Sequence, residues 1–383
     1  MDTIRWSTPS SGNPPIGPAT NKPSGKQPAG ATYHIGFLLP FLSNQMSGDQ
    51  VPDKSRLALQ FYAGAKLALE QLSREENIHL NAEVWDTQAN DADFEQVMNN
   101  TRLTKPTVFI GPIRSSHVSM FAGWAKSNGK ILISPETPSS ELTSNNPDFI
   151  QINPSLRAHC ETISRYVNKR HKTDAVTLVC KEKEADRLTY FQNAASNGRF
   201  NELIMPDDAR NFDKTDLKKY LRPGKTAVFI LPIWASQDFV MAFLRKLKEI
   251  KGSNRVEVYG MPQWRSFEAI EPEYLSQLNV HITSASWVNY QLPEIKAFQE
   301  KFYEITGAIP DEDAFNGYDV TLFTGRMLAK YGLSFPEHLD EETSDTFRGR
   351  MRFQPIYQTT RLDDRRNTPD YWENTFVHLL KFD

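Results

Sequence analysis

VFIGPIRSSHVSMFAGWAKSNGKILISPE, residues 108–136, decides the fold. It opens on an apolar run that stops at Gly111 and Pro112. It continues with helical spacing until Gly129, then enters a second apolar run that ends at Pro135. Unbroken apolar runs mark strands buried on both faces, and a helix between two of them makes a parallel βαβ unit. Pro112 fixes the turn, and Ser115 and Ser116 stand where the helix begins. Hydroxyls and free N–H groups gathered there favour negative charge. Ser115 serves equally well as a cap of its own helix, worth about 1 kcal/mol.

The same alternation runs outward in both directions. TYHIGFLLP (32–40) reads as a buried strand. The helix after it sets Leu57, Phe61, Ala65, Ala68 and Leu72 on one stripe, with Asp53 or Ser55 as its cap. HLNAEVWDT (79–87) is a strand and DADFEQVMNNTRL (91–103) a helix. A second series starts near residue 153, with DAVTLVCK, KTAVFILPI, RVEVYGMP and NVHITSASW as its clearest strands. Two such series predict two lobes of α/β architecture, each with a parallel sheet. LPEIKAFQEKFYEITG and DAFNGYDVTLFTGRMLAKYG then follow as consecutive helices without a strand between them. The C-terminal stretch reads as two β segments around a polar loop.

Composition removes several classes of function. The 44 Lys+Arg nearly balance 47 Asp+Glu, which argues against a nucleic-acid binder. No run approaches 18 apolar residues, so no membrane span is expected. Cys160 and Cys180 are expected as buried thiols, and no Cys/His spacing suggests a metal site. Residues 1–31, rich in Pro, Gly and Ser, cannot bury enough surface to order themselves and read as a disordered linker or tether. They lack the apolar core of a secretory signal. No catalytic motif and no cofactor-binding signature is present. Ser116 and His117 are neighbours, but adjacent helical positions point about 100° apart and share a proton poorly. The expectation is a protein without catalysis.

Four segments together resemble the type I periplasmic binding protein superfamily, the group of leucine/isoleucine/valine-binding proteins and receptor ligand-binding regions. They are HIGFLLPF with FYAGAKLALEQL, DTQANDADF, the opening stretch extended to SPETPSSEL, and FNGYDVTLFTGRMLA; the ending ENTFVHLLKF suits the family's last hairpin. The resemblance implies two Rossmann-like lobes joined by three crossovers, with ligand held in the cleft between them. It places 32–152 and 289–335 in a first lobe and 153–288 and 336–383 in a second. It also implies an extracytoplasmic, periplasmic or envelope solute-binding protein of bacterial type, which either serves an ABC-type transporter, with the permease as partner, or acts as a sensor. The alternative is an envelope-tethered, cell-wall-associated scaffold or regulatory module that keeps the fold with a degenerate cleft.

Parallel sheets bind ligands beyond the carboxyl ends of their strands, which selects the candidate residues. By resemblance, Ser115 helps hold a ligand carboxylate, with Ser116 beside it. The matching segment after the fourth strand departs from the pattern. Pro138 stands where relatives present a Thr and has no N–H to give, Thr137 comes one residue early, and Glu136 adds an acid that repels a carboxylate. Gln263 stands where relatives often place an acid for an ammonium group. These departures count against a plain L-amino acid as ligand. Trp234, Trp264 and Trp287 fall at successive strand ends of the second lobe, a wall suited to a sugar, a ring or a peptide. Tyr318 is expected to contribute from the other wall.

Overall fold

The computed structural model describes residues 32–48, 50–140, 142–172, 174–192, 200–268, 270–357 and 368–382. The linker expected over residues 1–31 lies outside them. The chain first lays down β1 (Tyr33–Leu39), α1 (Arg56–Arg74), β2 (Leu80–Asp86), α2 (Asp91–Met98) and β3 (Val108–Ile110). The opening stretch then supplies α3 (Ser115–Ser127) and β4 (Ile131–Ser134), followed by β5 (Phe149–Gln151). A second series comprises α4 (Leu156–Arg170), β6 (Ala175–Lys181), α5 (Thr189–Gln192), β7 (Asn201–Met205) and β8 (Thr226–Ile230). It continues through α6 (Gln237–Lys251), β9 (Arg255–Gly260), α7 (Pro272–Gln277) and β10 (Val280–Ser284). Last come α8 (Pro293–Thr306), α9 (Glu312–Tyr331), β11 (Thr343–Thr346), β12 (Gly349–Ile356), β13 (Tyr371–Asn374) and β14 (His378–Lys381).

These elements form two units. The first holds residues 32–155 and 286–376, the second 156–285 and 377–382. In the first, eight strands run β11-β12-β13-β5-β4-β3-β1-β2, parallel from β13 to β2. In the second, the order is β14-β10-β9-β8-β6-β7, parallel except for β14. This is the two-lobe α/β architecture with parallel sheets expected from the sequence. The C-terminal segment is where the structure corrects it. Residues 343–374, assigned from sequence to the second lobe, pair into the first unit's sheet, and the chain passes over only at Phe376 and Val377. Burial explains why. Met351, Phe353 and Trp372 share one apolar cluster with Phe323, Met327 and Phe335, and the Phe323 and Phe353 rings stack at 5.4 Å. ENTFVHLLKF is therefore no hairpin; its two strands belong to different sheets.

The first unit's sheet carries α1 and α9 on one face. Gly64 and Gly317 let these helices touch main chain to main chain: a Cβ on Gly64 would lie 1.9 Å from the Ala314 oxygen, and one on Gly317 1.9 Å from the Phe61 oxygen. Both glycines sit inside the segments that carry the resemblance, FYAGAKLALEQL and FNGYDV. On the other face, Leu38, Phe109, Leu132 and Phe149 pack with Val118, Phe121 and Ala125 of α3. α1 begins without a side-chain cap; Ser55 instead donates its hydroxyl to the Pro52 carbonyl at 2.6 Å.

Candidate functional site

Counted from β2, the first sheet reads 2-1-3-4-5, and the second repeats that order from β7. In such sheets, neighbouring strands whose connections leave to opposite sides open a crevice at their carboxyl ends. The switch points fall between β1 and β3 in the first unit and between β6 and β8 in the second.

At the first switch point, Asp86 gathers the loops after β1 and β2. Its carboxylate accepts from the Leu42 N–H (3.1 Å), the Ser43 N–H (2.8 Å), the Gln88 N–H (3.0 Å) and Gln88 Nε2 (2.8 Å). This network holds Leu42 in a left-handed conformation, φ 57°. Sequence reading noted DTQAND only as part of the resemblance; an Asp directly closing a strand was the available signal. After β3, Gly111 takes φ 90°, and any Cβ there would meet the Leu38 oxygen at 2.2 Å.

Ser115 and Ser116 open α3 as expected, with differing surroundings. Ser115 is exposed, and the N-cap residue is Arg114, without a side-chain cap. Ser116 donates to Asp91 Oδ1 at 2.8 Å, which ties α3 to the start of α2. His117 is fully buried and stacked on Phe94 at 4.3 Å, with Nε2 3.2 Å from Asp91. Burial pushes its pKa down, Asp91 offsetting this in part, so the ring is neutral. Thr137 is buried and donates its hydroxyl to the Ile113 carbonyl at 2.9 Å. That proton fastens the loop after β4 to the loop after β3.

Beyond β4 the site turns acidic. Glu136 is largely enclosed, and Asn316 of α9 donates through Nδ2 to its Oε1 and to the Pro135 carbonyl. Asn153 Nδ2 fixes the Glu136 backbone carbonyl at 2.7 Å. Burial raises the Glu136 pKa, and Glu312 adds to this while Arg348 and Asn316 oppose it. Asp313 is pushed up to about 7, first by burial and then by Glu136 and Asp311, against the opposing pull of Arg348. Ser286 donates to Glu312 Oε2 at 3.2 Å. Arg348 belongs to the β11–β12 turn, which Asp319 holds by accepting the Phe347 and Arg348 N–H groups, each at 3.0 Å. Burial raises Asp319 to about 6 despite those two bonds. Trp287 joins the same turn through its N–H on the Arg348 carbonyl, 2.8 Å.

Tyr318, expected beside the ligand, stands in a packing cluster. Its ring stacks on Phe347 at 4.9 Å and meets Phe298 edge-on at 5.0 Å, and its hydroxyl donates to Gln71 Oε1. The helix periodicity that exposes a residue to the strand ends at Asn316 turns Tyr318 toward α1 and α8.

At the second switch point stands Trp234, half-buried after β8 and edge-to-face with His159 at 5.8 Å. His159, in the first turn of α4, is 1% exposed, its Nδ1 has no partner, and burial takes its pKa down to about 4. Gln263 follows β9 with a buried Oε1 that likewise has no partner. Trp264 is 4% exposed and donates Nε1 to the Ile233 carbonyl at 2.9 Å. It fastens the loop after β9 to the loop after β8, so it is a strut of the unit. Trp287 belongs to the first unit. The three tryptophans expected on one wall are thus separated by role and by unit.

Sequence reading also missed a cluster at the opposite, amino ends of the second sheet. His171 lies between Asp174 (Nδ1, 3.0 Å) and the pair Tyr259 (Nε2, 3.0 Å) and Glu257 (Nε2, 3.2 Å), with His281 stacked on Tyr259 at 4.7 Å. Burial alone would lower the His171 pKa; the bonds and charges of Glu257 and Asp174 outweigh it and raise the pKa. Glu257, although also desolvated, is held down to about 2 by His171 and Arg170. Its position far from the switch point marks this cluster as structural.

No family model matches the chain, and no curated protein sequence does. Solved structures do match. An ABC transporter substrate-binding protein from Desulfitobacterium hafniense in complex with Leu is 17% identical, with a TM-score of 0.56 over 92% of this chain and 98% of that one. A branched-chain amino acid ABC transporter periplasmic ligand-binding protein from Burkholderia xenovorans LB400 is 11% identical, with a TM-score of 0.57 over 90% and 95%. Full-length LpoA from Haemophilus influenzae is 12% identical, with a TM-score of 0.57, covering 94% of this chain and 59% of that one. The chain has the type I periplasmic-binding-protein fold.

Proposed function

We propose that this chain is a binding protein for a small polar solute, held at the carboxyl ends of the sheet strands, and that it performs no chemistry of its own. One observation carries the reading. Of the buried polar atoms without a protein partner, Asn316 Oδ1 in the first unit and Gln263 Oε1 and His159 Nδ1 in the second lie at that end of the sheets. A buried acceptor left unpaired costs roughly 1–3 kcal/mol, and a ligand that completes it recovers that energy on binding. Their position at the switch-point end, where such sheets receive ligands, supports binding over a folding defect.

The absence of chemistry is supported by the Ser116–His117 neighbourhood. Ser116 is bonded to Asp91 rather than to the ring, and the ring is sealed from solvent. The transporter-linked proteins among the structural neighbours support an extracytoplasmic role with an ABC permease as partner. A second reading, an envelope scaffold or regulatory module, draws on the likeness to LpoA over 94% of this chain and on the structural employment of Thr137 and Trp264.

A thermal-shift screen over amino acids, short peptides, muropeptides, sugars and nucleosides separates the two. A solute at a hundred times its Kd adds about 2.7 kcal/mol, a rise of roughly 5–10 °C for a unit of this size. A flat response to every class refutes solute capture and favours the scaffold.

A further inference from the structure

We infer that the amino-end face of the second unit is a docking surface for an anionic phospholipid bilayer. This face lies at the opposite end of the strands from the switch point and stands apart from solute capture. β9, β8 and β6 are consecutive in the sheet, with Thr226 beside Arg255 and Ala175 beside Ala227. Neighbouring strands lie about 4.8 Å apart, so the three strand entrances fall within about 10 Å of one another. Each brings two cations: Lys169 and Lys172 ahead of β6, Arg222 and Lys225 ahead of β8, Lys251 and Arg255 at β9. All but Lys251 are exposed. Two tight turns hold four of the six in place or beside the turn. Arg222 to Lys225 closes through the Lys225 N–H on the Arg222 carbonyl at 3.2 Å, with Gly224 at φ 77°. Lys251 to Asn254, just before Arg255, closes in the same way at 2.9 Å, with Gly252 at φ 52°.

Little counter-charge reaches this face. Within 169–174, 220–225 and 249–255 the acids are Asp174 and Glu249. Asp174 turns inward, to His171 Nδ1 at 3.0 Å and the Thr226 N–H at 3.2 Å. Glu257, further along β9, is taken by Arg170 and His171. Among the described residues no carboxylate pairs with Lys169, Lys172, Arg222 or Arg255. The buried histidine thus draws in acids that would otherwise neutralise the surface.

Helix dipoles account for part of the charge, since cations are favoured in a last helical turn, where Lys169 and Lys251 stand. They do not account for Arg222, Lys225 and Arg255, which belong to a turn and a strand. Nor does the fold require such a face. At the same end of the first unit, Glu83 pairs with Arg102 at 2.7 Å and Lys105 at 2.8 Å, and Glu75 and Glu76 precede β2.

The make-up of the face selects the partner. Among the described residues, none of the exposed large apolar side chains lies on these approaches, so the apolar anchor of a protein interface is absent. Tyr259 and His281, the stacked rings at this end, are buried and out of reach of a nucleic-acid base. Closely spaced positive charge remains, and anionic headgroups, which move laterally, gather beneath it whatever its pattern.

The test is vesicle co-sedimentation of the full chain at about 0.15 M salt, with phosphatidylglycerol mixed into phosphatidylcholine against phosphatidylcholine alone. Binding to the anionic vesicles only is expected, and it should disappear in about 1 M salt, where the screening length falls to about 3 Å. Each cation near an anionic surface strengthens binding about five-fold, so Lys169→Gln, Arg222→Gln and Arg255→Gln together should weaken it about a hundred-fold. The matched control, Lys54→Gln with Lys66→Gln and Lys296→Gln, removes the same charge from exposed positions of the first unit and should change binding less than about two-fold. Equal binding to both kinds of vesicle overturns the proposal without recourse to any variant, and so does an equal loss in the two triple variants. Duplex DNA or polyglutamate bound as tightly as the anionic vesicles overturns the assignment to a bilayer.

Discussion

Replacing Gly317 by Ala puts a methyl group where the structure has main chain. The new Cβ would lie 1.9 Å from the Phe61 oxygen, 2.6 Å from its carbonyl carbon and 2.9 Å from its Cα. None of these atoms belongs to a side chain that can swing away, so α1 and α9 must part by about 1 Å to reach a 3.0 Å contact. Alanine gains about 1 kcal/mol over glycine in a helix interior, and overpacking against fixed atoms costs about 3 kcal/mol or more. The net loss is about 2–3 kcal/mol, a fall of roughly 5–10 °C in the first unit's melting transition. Gly123→Ala in α3 is the matched control, because nothing stands within 4 Å of its Cβ. There the propensity gain acts alone, and the protein should be stabilised by about 0.5–1 kcal/mol. Urea unfolding of the two variants beside the parent measures both. If Gly317→Ala proves as stable as Gly123→Ala, the helices are not in main-chain contact and the account of FNGYDV fails.

His171 has a folded pKa above its unfolded value, so its contribution is complete below about pH 6.5 and is lost as pH rises through the folded value. His171→Gln should therefore lower the second unit's melting temperature at pH 5–6 and much less at pH 9; an equal loss at both would refute the ion-pair assignment. Asp313, raised to about 7, runs in the same direction: a carboxylate lifted by burial loses stability as pH climbs from about 4 to 7. Asp313→Asn should flatten that part of the melting-temperature profile and stabilise the first unit at pH 7, and an unchanged profile would show that the group is not desolvated. Trp264→Phe should cost about 1–3 kcal/mol by orphaning the Ile233 carbonyl. Trp234→Ala should spare most of the stability while removing ligand-induced shifts. Interchanged outcomes would reverse the roles given to the two tryptophans.

Strand and helix periodicity made the alternating parallel units readable, because doubly covered strands such as VFI and AVFI have no polar position to confuse the pattern. The final strands were misplaced for a physical reason. β13 and β14 are both short and half apolar, and only long-range partners, Ile150 for Trp372 and Ile282 for Leu380, decide which sheet each joins. In the site, Glu136 and Gln263 were legible as unusual residues at strand ends. Asn316, Arg348 and His159 were not, since each reaches its neighbours from a helix or hairpin distant in sequence. Thr137, Trp264 and Tyr318 were legible as polar or aromatic groups near the right place. Sequence could not reveal that the Ile113 and Ile233 carbonyls and Gln71 already accept their hydrogens.

The late passage of the chain at Phe376 and Val377 bears on how the polypeptide matures as it leaves the ribosome. β10 is complete by Ser284, yet its outer edge is paired only by β14, which begins at His378. During translation of the intervening residues, that row of peptide groups stays open to any passing strand, the circumstance that invites intermolecular aggregation. Stalled or prematurely terminated products should accordingly be the insoluble ones, even where their first unit has every strand it needs.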